Sequence, residues 1–211
     1  MPFRIAARRG VTPLLLAYLP FALAQPAEPD VRAGAERQPA AAIFAGGCFW
    51  CMEPPFDGIE GVLSTTSGYT GGEVENPSYG DVSAGGTGHL EAVLVEYDPA
   101  RIGYHELLDV FWRNIDPLDD GGQFCDRGSS YRSAIFYADE QQKRLAGQSK
   151  TALEAAGRFE KPIVTRILPA SEFYPAETYH QNYYRENPLR YKFYRYRCGR
   201  DDRLEELWGD D

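Results

Sequence analysis

The stretch AAIFAGGCFWCMEPPF, Ala41 to Phe56, decides how the chain is read. Its first half, Ala41–Gly47, is a short apolar run stopped by two glycines, the pattern of a buried strand ending in a tight turn. A helix is expected at or just after Cys48. Pro54 and Pro55 are expected to confine its regular part, since proline is comfortable only in a first helical turn. This order sets Cys48 at the positive end of a helix dipole, facing unpaired backbone N–H groups. Such placement lowers a thiol's pKa and favours the thiolate, which is the nucleophile. Cys48 and Cys51 also fit a redox pair, half of a metal site or a structural disulfide, and a C-x-x-C alone does not choose.

Outward from there, Gly61–Tyr69, Leu90–Asp98, Tyr131–Asp139 and Ile163–Leu168 read as further strands. Tyr104–Ile115 is amphipathic, with Leu107, Leu108, Phe111, Trp112 and Ile115 on one face, so it is a helix against the core. Glu140–Ala156 is a mostly polar helix and Pro175–Asn187 a short one. Thr70–His89 is Gly-rich and long for a loop, and long ordered loops are often functional. The strands and helices mix without a strict βαβ repeat, so the expected class is α+β, helices on a mixed β-sheet.

The 211 residues suggest one domain, and 43% hydrophobic and 13% aromatic content suffices for a sizeable core. A formal charge of −9 argues against general nucleic-acid or anionic-membrane binding. Residues 1–24 carry Arg4, Arg8 and Arg9, then an apolar run broken by Pro13 and Pro20, then Ala22-Leu23-Ala24. That is the layout of a signal peptide cut before Gln25, and the run is short of the ~20 apolar residues a span needs. Cleavage takes the charge to −12, the three arginines being lost. Residues 25–40, rich in Pro and Ala, read as a linker, and 41–211 as the folded domain. Export to the bacterial periplasm, with no stable membrane insertion after cleavage, puts Cys48, Cys51, Cys125 and Cys198 where disulfides persist. Four cysteines allow three full pairings, and sequence does not choose among them.

Strand alternation in LEAVLVEY points Glu91 to the same side as Val93, Val95 and Tyr97. A carboxyl on an apolar face has a raised pKa and can act as a general acid, unless it reaches solvent at the strand end. Tyr79, Asp126 and Tyr131 are polar candidates, each ordinary when taken singly. Phe49 and Trp50 are core aromatics or the wall of a small apolar pocket. In the tail, Arg and Lys interleave with Tyr and Phe; export and net acidity favour a packed segment over nucleic-acid stacking. Arg195, Arg197 and Arg200 would there promote the thiolate of Cys198.

Together, GGCFWCMEPPF, GYTGG (Gly68–Gly72), NPSYGDV (Asn76–Val82), GTGHLEAV (Gly86–Val93) and CDRGSSYRSAIF (Cys125–Phe136) resemble peptide methionine sulfoxide reductase of the A type. The resemblance spans most of Ala41 to Cys198. It implies reduction of the S epimer of methionine sulfoxide, free or in oxidised proteins, by a domain with a ferredoxin-like plait and a long coiled C-terminal segment; a monomer is expected. It implies Cys48 as nucleophile and Glu91 as the acid on the sulfoxide oxygen. Tyr79 and Tyr131 would hydrogen-bond that oxygen, Asp126 would complete the polar network, and Phe49 and Trp50 would hold the methyl group. Cys198 would resolve the Cys48 sulfenic acid. A glycine often follows GCFW in this family; here Cys51 stands there and is the alternative resolver, with Cys125 an outside candidate. The resemblance implies no metal and no cofactor in the active site, and an external thioredoxin-like dithiol as reductant. A thioredoxin-like C-x-x-C oxidoreductase explains the cysteines but not Glu91, Tyr79 or Tyr131. A zinc-stabilised binding module lacks a second close-spaced pair.

Overall fold

A computed structural model describes residues 38–209. The expected signal peptide, 1–24, and the linker up to residue 37 lie outside the described residues. The first strand already begins at Ala40.

The chain runs β1 (Ala40–Gly46), α1 (Phe49–Asp57), β2 (Val62–Thr70), α2 (Tyr79–Ala84), β3 (Leu90–Tyr97), α3 (Tyr104–Arg113), β4 (Gly122–Gln123), β5 (Asp126–Arg127) and β6 (Ser133–Tyr137). It continues through α4 (Glu140–Ala155), β7 (Arg166–Pro169), β8 (Phe173–Pro175), α5 (Tyr183–Glu186), α6 (Pro188–Arg197) and α7 (Arg200–Trp208). Single 3-10 turns sit at Ser129–Tyr131 and Thr178–His180. Six strands form one sheet in the order β7-β6-β1-β3-β2-β8. Only β6–β7 pairs parallel, so the sheet is mixed and the class is α+β, as expected.

Alternation along the strands sorts the two faces. Ala42 and Phe44 of β1 join Val93, Val95 and Tyr97 of β3 in the main core under α1 and α3. Ala45, Leu90, Ala92, Ala134 and Phe136 fill a smaller cluster on the other face. Phe44 is the hub of the main core. Its ring stacks on Phe56 of α1 at 5.3 Å and on Phe111 of α3 at 5.2 Å. Full burial of one such side chain contributes ~1.5–3 kcal/mol.

The short strands β4, β5 and β8 were not expected, β7 starts at Arg166 rather than Ile163, and four helical features differ from the sequence reading. Helix α1 continues through Pro54 and Pro55 to Asp57. Proline's fixed φ is itself helical, and the buried Phe56 ring locks the last turn onto Phe44. The long loop contains α2, started by a Ser78–Asp81 capping box: Asp81 N–H donates to Ser78 Oγ, and the Asp81 carboxylate accepts from Ser78 N–H at 3.0 Å. The helix expected over Pro175–Asn187 is broken, because Gln181 turns its amide onto Ser67 N–H, Ser67 C=O and Ala176 C=O, and Asn182 takes φ 51°. The segment expected to be coiled is helical as α6 and α7. Pro188 opens α6 at a position where its missing N–H costs nothing. Interleaved aromatics and cations give α6 no apolar stripe, so it carries no periodic signal.

Candidate active site

The Gly46-Gly47 turn delivers Cys48 to the head of α1. A Cβ on Gly46 would lie 2.5 Å from Met52 Sδ, and Gly47 has φ +84°. Neither position tolerates a side chain, so the glycines fix where Cys48 sits. Cys48 is the N-cap residue, with φ −54° and ψ 119°, and Cys51 N–H donates to its carbonyl at 3.0 Å. Cys48 is therefore outside the regular helix, and its sulfur is not held to the spacing of helical neighbours three apart. Both thiols are free, and both are buried.

The Cys48 thiol is hydrogen-bonded to Cys51. Burial pushes Cys48 well above the usual thiol range, with Cys51, Glu91 and Asp126 adding to it. Cys51 is held down at about 7 by the hydrogen bond from Cys48, against its own burial, with Arg200 and Arg195 helping. The resting negative charge thus sits on Cys51, whereas the helix-dipole argument had put it on Cys48. The hydrogen bond from Cys48 is the main cause, and the two arginines, which no local pattern at Cys48 announces, add to it.

Glu91 is 2% exposed and lies on the main-core face, as strand alternation predicted. Its Oε2 accepts the first free N–H of α1, from Phe49, at 3.1 Å. Burial lifts its pKa to about 8, against the Phe49 N–H and Tyr131 and reinforced by Asp126 and Cys51. Glu91 is therefore mostly protonated at pH 7, one residue from Cys48. Tyr79 and Tyr131 are hydrogen-bonded to each other, and burial raises both, so they remain neutral donors. Asp126 is raised by burial and accepts from Tyr194 Oη.

The aromatic wall is larger than the sequence indicated. Phe49 is fully buried against His180, with ring centroids at 5.0 Å. The Trp50 ring stacks on Tyr183 at 3.7 Å, and its Nε1–H donates to His180 Nδ1 at 3.1 Å. His180 also meets Tyr79 at 4.6 Å. Glu177 steadies this corner by accepting from Tyr69 Oη and Tyr79 N–H, each at 2.9 Å. Sequence reasoning missed His180, Tyr183, Tyr194 and Glu177 as site residues. The dense cluster ETYHQNYY was the available signal for all of these but Tyr194.

Cys198 is not a free thiol. It is disulfide-bonded to Cys125 at the tip of the β4–β5 hairpin, with the sulfurs 2.06 Å apart. Its tail arginines do not activate it: Arg195 and Arg200 act on Cys51 instead. The four cysteines form an inner dithiol and an outer disulfide, not a four-sulfur metal cluster.

A sequence profile described as peptide methionine sulfoxide reductase matches residues 40–211. The chain belongs to that family. It is 54% identical over 168 residues to peptide methionine sulfoxide reductase MsrA of Bacillus subtilis (strain 168), covering 80% of this chain and 95% of that one. The Bacillus licheniformis MsrA is 53% identical over 168 residues, covering 80% and 93%. Among solved structures, methionine sulfoxide reductase A of Corynebacterium diphtheriae superposes with TM-score 0.65 at 35% identity, over 74% of this chain and 78% of that one. Reduced Mxr1 from Saccharomyces cerevisiae gives TM-score 0.65 at 31% identity, over 72% and 87%. The protein is a thiol-dependent methionine sulfoxide reductase.

Proposed function

We propose that the reductase acts on the S epimer of methionine sulfoxide, free or in oxidised proteins, with Cys48 as nucleophile, Glu91 as general acid and Cys51 as resolving thiol. The observation that carries this is the protonated, buried Glu91 held one residue from the Cys48–Cys51 pair. Glu91 gives its proton to the sulfoxide oxygen while Tyr79 and Tyr131 donate hydrogen bonds to it. Phe49 and Trp50 take the methyl group. Cys48 attacks the sulfur, passing its own proton to the Cys51 thiolate. Methionine leaves and Cys48 becomes a sulfenic acid. Cys51 then attacks Cys48, its proton leaves with the hydroxyl as water, and a Cys48–Cys51 disulfide forms. Glu91 regains its proton from solvent. Asp126 acts through Tyr194 to hold the C-terminal helix against the pair.

The Cys125–Cys198 disulfide supports Cys51 over Cys198, the resolver the family resemblance implied, for the first resolving step. An external, thioredoxin-like dithiol completes the cycle by exchange. Cys125 is exposed while Cys48 and Cys51 are buried, which supports the outer disulfide as the part such a partner reaches. Mapping of the disulfides after one equivalent of substrate tests the order. A Cys48–Cys51 link is expected, and a Cys48–Cys198 link would return Cys198 to the resolving role.

The strand order β6-β1-β3-β2, with α1 and α3 as its crossovers, supports a ferredoxin-like plait at the centre of the sheet. Export to the periplasm rests on residues 1–24, and N-terminal sequencing of secreted protein tests it, with Gln25 expected first. The monomer reading is tested by light scattering.

A further inference from the structure

Arg200 has the largest fully buried side chain among the described residues, 1% exposed. Its Nη2 donates to Asn114 C=O at 2.5 Å, Gly46 C=O at 3.4 Å and Met52 Sδ at 3.1 Å. Gly46 lies two residues before Cys48 and Met52 directly after Cys51, so the guanidinium grips both ends of the thiol segment. Its flat face lies on the Phe124 ring at 4.3 Å, and its Nε has no partner. Every partner is neutral. A buried cation without a counter-charge is strongly disfavoured, so the fold must offer an anion nearby.

We propose that Arg200 is a positioning residue for the thiol chemistry: its unneutralised guanidinium keeps the Cys48–Cys51 pair as one thiol and one thiolate, and the Cys125–Cys198 disulfide clamps it there. The other cation near the pair among the described residues, Arg195, is ion-paired with Asp201 and hydrogen-bonded to Tyr191. The remaining groups around the pair all oppose a thiolate or are neutral. Glu91 of β3 and Asp126 of β5 are carboxyls. Tyr79, Tyr131, Tyr191 and Tyr194 stay protonated. Arg200 is thus the charge that tips the balance, consistent with its lowering effect on Cys51. The clamp follows from connectivity. Cys125 adjoins Phe124, Cys198 stands two residues before Arg200, and the disulfide closes this loop around the Arg200–Phe124 stack. Asn114, Gly46 and Phe124 come from three separate segments, so only the closed fold assembles this seat.

The proposal deepens the proposed site, but its readout needs no substrate. Thiolate absorbance of the inner pair is titrated on protein with the outer disulfide intact, for wild type, Arg200→Gln and Arg200→Lys, each with a thermal melt. Expected is a wild-type midpoint below the ordinary thiol value of ~8.5. Arg200→Gln raises it by about one unit or more, so the thiolate fraction at pH 7 falls about fivefold or more. Arg200→Lys, which keeps the charge, returns it towards wild type. A merely structural arginine would lower both melting temperatures and leave the midpoint in place. That result, or a wild-type midpoint at or above the ordinary thiol value, overturns the proposal even where Arg200→Gln fails to fold. Cys125→Ser/Cys198→Ser tests the clamp: a midpoint shifted part of the way up is expected, and an unmoved one removes the disulfide from the account. Loss of turnover with normal titrations would instead count against the reductase mechanism.

Discussion

Replacing Glu91 by Gln removes the proton the reaction needs while keeping shape and the acceptor for Phe49 N–H. General acids of this kind contribute ~10²–10⁴-fold to rate, so kcat is expected to fall by about that factor with KM little changed. Stability moves the other way. The folded pKa, about 8, stands above the ordinary glutamate value of 4.5. A raised carboxyl is at no disadvantage below the unfolded pKa, and stability is lost as pH rises from there to the folded pKa. At pH 7 that loss is on the order of 3 kcal/mol, taking 1.36 kcal/mol per unit over the interval below neutrality. Gln carries no such loss, so Glu91→Gln should melt higher than wild type at pH 7 and show no advantage near pH 4. The assay is dithiothreitol-driven methionine formation alongside melting at both pH values. A variant keeping activity within tenfold of wild type, or losing stability at pH 7 but not at pH 4, would refute the reasoning.

The wild-type pH profile of kcat/KM should rise as Cys51 loses its proton, about 7, and fall as Glu91 loses its own, about 8; a flat profile from pH 6 to pH 9 counts against the assignment. Cys51→Ser should release one methionine per chain and then stall, with a Cys48 sulfenic acid that dimedone captures and mass spectrometry detects. Trp50→Ala strips both the Tyr183 stack and the His180 hydrogen bond, so KM for sulfoxide peptides should rise ~10-fold or more, the loss of one good contact worth about 1.4 kcal/mol. Phe44→Ala empties the hub of the main core and should cost ~3–5 kcal/mol in urea unfolding.

What was legible in the sequence depended on how local its cause was. Glu91 could be placed on the apolar face because a strand has a period of two. The Cys48 turn could be placed because only glycine fits between β1 and α1. The core face of α3 followed from its 3.6-residue period. Capping at Ser78–Asp81 was equally local and went unread because the glycines around it dominate the stretch. Other features have long-range causes. His180 meets Trp50 across 130 positions, and the Cys125–Cys198 bond spans 73. No spacing rule joins such residues. The arginines that help hold the resting charge on Cys51, Arg200 before Arg195, reach the thiol pair only after α6 and α7 have packed. The break at Gln181–Asn182 needed β2 as a partner, so the local helical pattern was overridden from outside.

The most direct test of the central claim is turnover by residues 25–211, with dithiothreitol and the separated S and R epimers of one methionine sulfoxide peptide, for wild type and for Cys48→Ser. The account predicts that the S epimer alone is reduced and that Cys48→Ser reduces neither. Reduction of both epimers at similar rates, or survival of S-epimer reduction in Cys48→Ser, would contradict it.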